Sequence, residues 1–200
     1  MRKKRTTAGD SSKTARVTSG ATTRRPSPRS LKERLAKVRM FLCDVDGVMT
    51  DASVYFSGEQ EFKRFDIQDG LGLTALRKSG IRVGWISSRP SAATTRRAAD
   101  LKIDFLHQSK GGKVEAIEQI LTRTGLGWGQ ICYAGDDLVD LGPLKRAGVA
   151  VAVANAVPEV RAAAHYITRA SGGQGAVREI AEMILKAQDK WRQVVADHSQ

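Results

Sequence analysis

The sequence predicts an α/β fold: a parallel sheet covered on both faces by helices, with a β-hairpin inserted after the first strand. Three observations carry this. Short, continuous apolar runs recur at 40–45, 81–86, 104–106, 131–134 and 149–153. Segments of helical periodicity lie between them. One stretch, 54–67, breaks the alternation. Strands that are apolar throughout are buried on both faces, as in a parallel sheet between helices.

The elements follow in order. Residues 1–37 are basic and rich in Ser, Thr, Arg and Lys, a composition that predicts a disordered leader. Within it Ser30 and Glu33 have capping-box spacing and can open a short helix. The body starts near Val38, with a first strand over Met40–Val45. Val54-Tyr55-Phe56 and residues 61–67 flank Ser57-Gly58-Glu59-Gln60, which reads as a hairpin with a short turn. Residues 71–78 then set Leu73 and Leu76 on one helical face. Ile81–Ile86 and Asp104–Leu106 are the next strands. Residues 113–124 align Val114, Ile117, Ile120 and Leu121. Ile131–Ala134 and Val149–Val153 complete the strands. A last helix, about 175–191, carries Val177, Ile180, Ala181, Ile184, Leu185 and Trp191 in one stripe. The predicted organisation is a leader over 1–37, one domain over 38–190 and a tail over 191–200.

Charge has to be counted by segment. The chain of 200 residues is 41% hydrophobic, enough for a core, and carries a net charge of +12. Residues 1–40 hold 13 Lys/Arg against Asp10 and Glu33, a net of +11. Residues 41–200 hold 20 basic and 19 acidic residues, a net of +1. The body is therefore no nucleic-acid binder by charge. Only the leader fits nucleic acid or acidic lipid, and its composition favours a solvated tail. No run of about 18 apolar residues exists to span a membrane, and residues 6–30 are too polar for a secretory core. Cys43 and Cys132 sit in apolar runs rather than in a disulfide framework, so a cytoplasmic location is expected.

Ligands of open parallel sheets bind outside the carboxyl ends of the strands. The first strand ends in Asp44-Val45-Asp46-Gly47, two carboxylates at i and i+2. Placing both in a partly dry site costs energy unless a cation or proton offsets it; a turn with solvated aspartates is the plain alternative. The second ends in Ser87-Ser88-Arg89, a hydroxyl then a cation, which alone is an ordinary turn. After the third, Lys113 opens a helix, where the dipole disfavours positive charge unless an anion lies near; a surface lysine is the alternative. The fourth ends in Gly135-Asp136-Asp137-Leu138-Val139-Asp140. One of those acids can cap a helix; the others need a cation or a proton. Together the four ends supply hard oxygen ligands that suit Mg²⁺ when a substrate phosphate completes the shell.

That order resembles the haloacid-dehalogenase phosphatase superfamily: Asp44-x-Asp46-x-Val48-x-Thr50, then Ser87, Lys113 and Gly135-Asp136-Asp137-x-x-Asp140. A hairpin as the sole insertion resembles the cap-less C0 subclass. Within it, residues 38–190 are similar to the 3-deoxy-D-manno-octulosonate (KDO) 8-phosphate phosphatases. Phe65-Asp66-Ile67-Gln68-Asp69-Gly70-Leu71-Gly72, Arg89 with Arg97, and Gly172-Gly173-Gln174-Gly175-Ala176-Val177-Arg178-Glu179 carry that similarity.

The resemblance implies a Rossmann-like three-layer fold without a cap domain. It implies hydrolysis of a sugar-acid phosphate monoester, part of lipopolysaccharide biosynthesis, with Asp44 as nucleophile and Asp46 as general acid and base. Mg²⁺ is then held by Asp44, the Asp46 main-chain carbonyl and Asp136. Ser87 and Lys113 bind the phosphoryl group. Asp137 and Asp140 position Lys113 and metal-bound water. Arg89 and Arg97 read the sugar carboxylate by paired hydrogen bonds, while Asp66, Gln68, Asp69 and Gly70 meet hydroxyls or shape the pocket mouth. A homotetramer is implied, with hairpins meeting and a C-terminal segment near a neighbouring site. The second motif departs from the usual Thr-Gly-Arg, and Gln68, Thr74 and Gln174 stand where arginines are expected. A phosphatase for another acidic sugar, of nine carbons, and a non-catalytic oligomerising homologue are the alternatives.

Overall fold

The structure, a computed structural model, describes residues 26–199. Eight strands and eight α-helices alternate for most of its length. They are α1 (Pro28–Ala36), β1 (Met40–Cys43), β2 (Tyr55–Ser57), β3 (Gln60–Phe62), α2 (Ile67–Lys78), β4 (Arg82–Ser87), α3 (Ala92–Asp100) and β5 (Phe105–Gln108), followed by α4 (Lys113–Thr124), β6 (Ile131–Gly135), α5 (Leu141–Arg146), β7 (Val149–Ala152), α6 (Pro158–Ala163), β8 (Tyr166–Ile167), α7 (Ala176–Ala187) and α8 (Trp191–Asp197).

Six strands form one sheet in the order β5-β4-β1-β6-β7-β8, while β2 and β3 pair apart as the hairpin. Every pairing in the large sheet is parallel. β1 lies at its centre, with Cys43 level with Trp85 on one side and Ala134 on the other. All four β1 residues are buried, as a strand covered on both faces requires. Helices α4, α5 and α6 pack together as one outer layer, and α1, α2, α7 and α8 form the other. The fold is a three-layer, Rossmann-like α/β sandwich.

The apolar stripe of α7 explains its place. Val177, Ile180, Ala181, Ile184 and Leu185 are all buried, each of the larger ones contributing about 1.5–3 kcal/mol on burial. Gly72 of α2 lets the two helices approach closely: a β-carbon there would meet the Ala181 Cβ and Arg178 Cα, both at 3.2 Å.

Several boundaries differ from expectation. Residues 1–25 of the leader, and with them the nucleic-acid reading, lie outside the described residues. The rest of the leader is ordered: α1 packs on α7 and buries Leu35. Its cap is Ser27, which accepts from the Ser30 N–H, rather than Ser30 itself; Pro28 at the first helical position sets that start. The last helix stops at Ala187, because Asp189 takes φ +56°. Trp191 then opens α8, with the Arg178 guanidinium 5.1 Å and the Lys186 ammonium 5.6 Å from its ring. The C-terminal segment thus covers its own α7. No helix among the described residues is long and apolar enough to cross a membrane.

Candidate active site

Asp44 follows β1 directly, and its N–H donates to the Ala134 carbonyl, extending the ladder one residue past the strand. The chain then turns sharply. The N–H groups of Val48, Met49 and Thr50 all point at the Val45 carbonyl, and Gly47 adopts φ +94°. Buried Thr50 locks this turn: its hydroxyl accepts from the Gly47 N–H at 3.3 Å and reaches the Val45 carbonyl.

Lys113 opens α4 and is buried. The anion expected beside it is a pair of carboxylates: its Nζ lies 3.0 Å from Asp44 Oδ2 and 2.8 Å from Asp140 Oδ1. Burial would lower the Lys113 pKa, but Asp140 and Asp44 outweigh it and the net shift is upward. Asp140 is a hub. Its Oδ1 also accepts from the Tyr133 hydroxyl, and its Oδ2 accepts from the Asp136 and Asp137 N–H groups.

Oxygens of Asp44, Asp136 and Asp140 lie within 4.8 Å of one another, the one such metal-competent cluster among the described residues. Burial, then the neighbouring carboxylates, pushes Asp44 up to about 6 and Asp136 up to about 8. Asp136 Oδ1 is buried with no hydrogen-bond partner. Three carboxylates with one ammonium between them are short of positive charge, and the donors are all hard oxygens. The residues therefore fit a hard divalent cation. Asp140 already gives its oxygens to four donors, so Asp44 and Asp136 are the acids with oxygen to spare.

Asp46 stands apart on the hairpin side. Its Oδ1 is 2.6 Å from Lys63 Nζ and its Oδ2 is 3.2 Å from Arg89 Nε. Ser87 is buried at the end of β4, where its hydroxyl accepts from the Arg89 N–H and donates to the Arg89 carbonyl. That turn presents Arg89, whose remaining nitrogens grip Glu61 through both carboxylate oxygens, at 2.6 and 3.4 Å. A cavity of about 420 Å³ opens beside Lys113, lined by Ser88, Lys110, Gly111, Gly112 and Val139.

The remaining expected site residues make these contacts. Asp69 is fully buried and accepts from the Arg178 N–H at 2.7 Å, which ties α2 to the start of α7. Asp66 caps α2, accepting from the Gln68 and Asp69 N–H groups. Asp137 is exposed and caps the short turn at 138–140, accepting from the Leu138 N–H; it does not reach Lys113. Gln68 is exposed on the first turn of α2. Arg97 lies against Gly70, where its guanidinium takes the space of a side chain. It lines a separate cavity of about 600 Å³ between hairpin and α3, with Glu61, Phe62, Lys63 and Arg96.

Three participants escaped sequence reasoning. Glu61 lies on β3 and Lys63 directly after it, two residues apart in extended chain, so they share a side; two charged residues at that spacing were the available signal. Asn155 braces the turn from the loop after β7: its Nδ2 donates to the Gly47 carbonyl and its Oδ1 accepts from the Gly172 N–H at 2.7 Å. Nothing local in the sequence marks it.

Comparison with known proteins agrees with this geometry. Residues 92–180 match the haloacid dehalogenase-like hydrolase family. A 3-deoxy-D-manno-octulosonate 8-phosphate phosphatase of Yersinia pestis is 41% identical over 159 residues, 79% of this chain and 85% of that protein. The Escherichia coli K12 protein of the same name is 36% identical over 154 residues, 76% of this chain and 82% of that one. A crystal structure of the Moraxella catarrhalis phosphatase with magnesium, phosphate and KDO superposes with a TM-score of 0.84 at 37% identity, covering 86% of this chain and 99% of that one. With these acids and this lysine at one rim, and with that identity across most of its length, the chain belongs to the 3-deoxy-D-manno-octulosonate 8-phosphate phosphatase family of haloacid dehalogenase-like hydrolases.

Proposed function

We propose that the protein is a Mg²⁺-dependent phosphatase that hydrolyses KDO 8-phosphate to KDO and phosphate. The observation that carries this is the Asp44–Lys113–Asp140 chain beside Asp136: a carboxylate poised next to a buried ammonium in a cluster that lacks positive charge.

In the first step an Asp44 oxygen attacks phosphorus as the bond to the sugar oxygen breaks. The electron pair leaves on that oxygen, which takes a proton from Asp46. In the second step a water oxygen attacks the aspartyl-phosphate and gives a proton to Asp46. The bond between Asp44 and phosphorus breaks, and phosphate departs. Lys113 meets the phosphoryl oxygens with positive charge, and the Ser87 hydroxyl donates to them once it leaves its turn. Asp44, Asp136 and the Asp46 carbonyl would hold Mg²⁺, which offsets carboxylate–phosphate repulsion.

Arg89 and Arg97 are the cations assigned to the sugar carboxylate. Because Glu61 fills the Arg89 fork in this state, substrate binding through Arg89 requires that Glu61 share or yield it. The exposed Tyr55, Phe56 and Phe62 of the hairpin support association into the homotetramer. Free, buried Cys43 and Cys132 support a reducing, cytoplasmic setting. The catalytic unit is assigned to residues 28–190, with α8 covering one face.

The test is phosphate release from a panel of sugar and sugar-acid phosphates, with Mg²⁺ and with chelator. KDO 8-phosphate is expected to give the highest kcat/KM, with turnover lost in chelator and lost by about 10⁴-fold or more in Asp44→Asn. Unchanged turnover in Asp44→Asn, or equal kcat/KM on neutral sugar phosphates, overturns the reading.

A further inference from the structure

Lys63 is the most deeply buried cation on the hairpin side of the site, its side chain wholly inaccessible. Taking an ammonium out of water costs several kcal/mol unless partners offset it, so its partners matter. Its Nζ meets Asp46 Oδ1 at 2.6 Å and donates to the Thr94 hydroxyl of α3 at 3.1 Å, with Glu61 Oε1 at 3.8 Å. Thr94 is itself fully buried. Glu61 is fixed in turn by the Ser91 hydroxyl at 2.6 Å and by Arg89.

The Asp46 carboxylate therefore faces two cations from outside its own loop: Arg89 Nε donates to its Oδ2, and the Lys63 ammonium makes an ion pair with its Oδ1, an oxygen that is buried and receives no hydrogen bond. Lys63 follows β3, and its anchor Thr94 belongs to α3. Hairpin and helix together fix the direction in which Asp46 faces. This is more than a fold contact, because a rotation of the Asp46 carboxyl would leave phosphorus chemistry at Asp44 intact and misdirect only the proton.

We infer that Lys63, anchored on Thr94, is the positioning residue for Asp46, and that the hairpin thereby controls proton delivery to the leaving oxygen. The inference rests on the phosphatase reading above. Lys63 acts through the Asp46 carboxylate, and its ion pairs are with Asp46 and Glu61 rather than with Asp44 or Asp136.

Leaving-group dependence tests it. A sugar alkoxide needs a proton to depart, whereas 4-nitrophenolate leaves without one, and a positioned general acid contributes about 10²–10⁴-fold. In Lys63→Met the ratio of kcat/KM for KDO 8-phosphate to that for 4-nitrophenyl phosphate is expected to fall about 30-fold or more. The loss should sit in kcat, because Asp46 does not hold the ground-state substrate. Thr94→Val, which removes only the anchor, is expected to move the same ratio in the same direction by a smaller factor. It also serves should Lys63→Met fail to fold. Equal losses on both substrates, or an unchanged ratio in the folded variant, overturn the inference while leaving the phosphatase reading intact. That reading fails separately, if wild-type protein releases no phosphate from either substrate or if Asp44→Asn keeps its rate.

Discussion

The Asp136 carboxylate occupies the space that a β-carbon on Gly47 would need. The turn after the first strand and the loop after β6 thus meet through a missing side chain. Gly47 also sits at φ +94°, a region that costs other residues about 1–2 kcal/mol. Gly47→Ala should push Asp136 out of line with Asp44. The expected result is a loss in kcat/KM of about 100-fold and Mg²⁺ binding weakened about tenfold by calorimetry, with the fold retained by circular dichroism. Wild-type metal affinity in this variant would show that the two loops are not coupled.

Asp140 gives a different kind of outcome, because its carboxylate serves four donors in a dry place. Asp140→Ala leaves the Tyr133 hydroxyl and two backbone N–H groups without their partner, and leaves Lys113 with Asp44 alone. Losses of this kind cost about 3–5 kcal/mol. Tyr133→Phe removes one bond of the four and is expected to cost about 1 kcal/mol. Urea unfolding of the two variants measures both. Similar midpoints for the two would mean that Asp140 does not act as the hub.

The parallel sheet was legible because five strands announce themselves as unbroken apolar runs, and the strand-end rule then gathers Asp44, Lys113, Asp136 and Asp140 without further information. Helix α3 was not legible: in Ala92-Ala93-Thr94-Thr95-Arg96-Arg97-Ala98-Ala99-Asp100 the buried positions are Thr94 and Ala98, too small to make a stripe. The two-residue β8 offers no period at all. Among the acids, sequence cannot distinguish a carboxylate that binds a ligand from one that receives backbone N–H groups. Asp66, Asp69 and Asp137 each receive backbone N–H groups on one oxygen. Glu61 and Lys63 were missed because the hairpin's fold over the site is a tertiary fact.

Asp69 supplies a pH dependence of stability. Its Oδ1 accepts from the Arg178 N–H, while its Oδ2 is buried without a partner. Burial raises its pKa from 3.8 to about 6, with Asp66 adding to the rise and the backbone N–H groups of Arg178, Gly175 and Val177 opposing it. Between those two values the folded protein keeps a proton that the unfolded chain has released. Stability must therefore fall as pH rises through this window and level off above about 6. At about 1.4 kcal/mol per unit the full effect is roughly 3 kcal/mol. Asp69→Asn keeps the acceptor for Arg178 and places a neutral amide where the carboxylate is orphaned, so this contribution should vanish. Urea unfolding of both proteins in the same buffers, at intervals from pH 4 to 7.5, is expected to show a shallower decline for the variant. Parallel curves would mean that Asp69 is ionised in the folded state throughout that range, stabilised by the start of α7 more than it is penalised by burial.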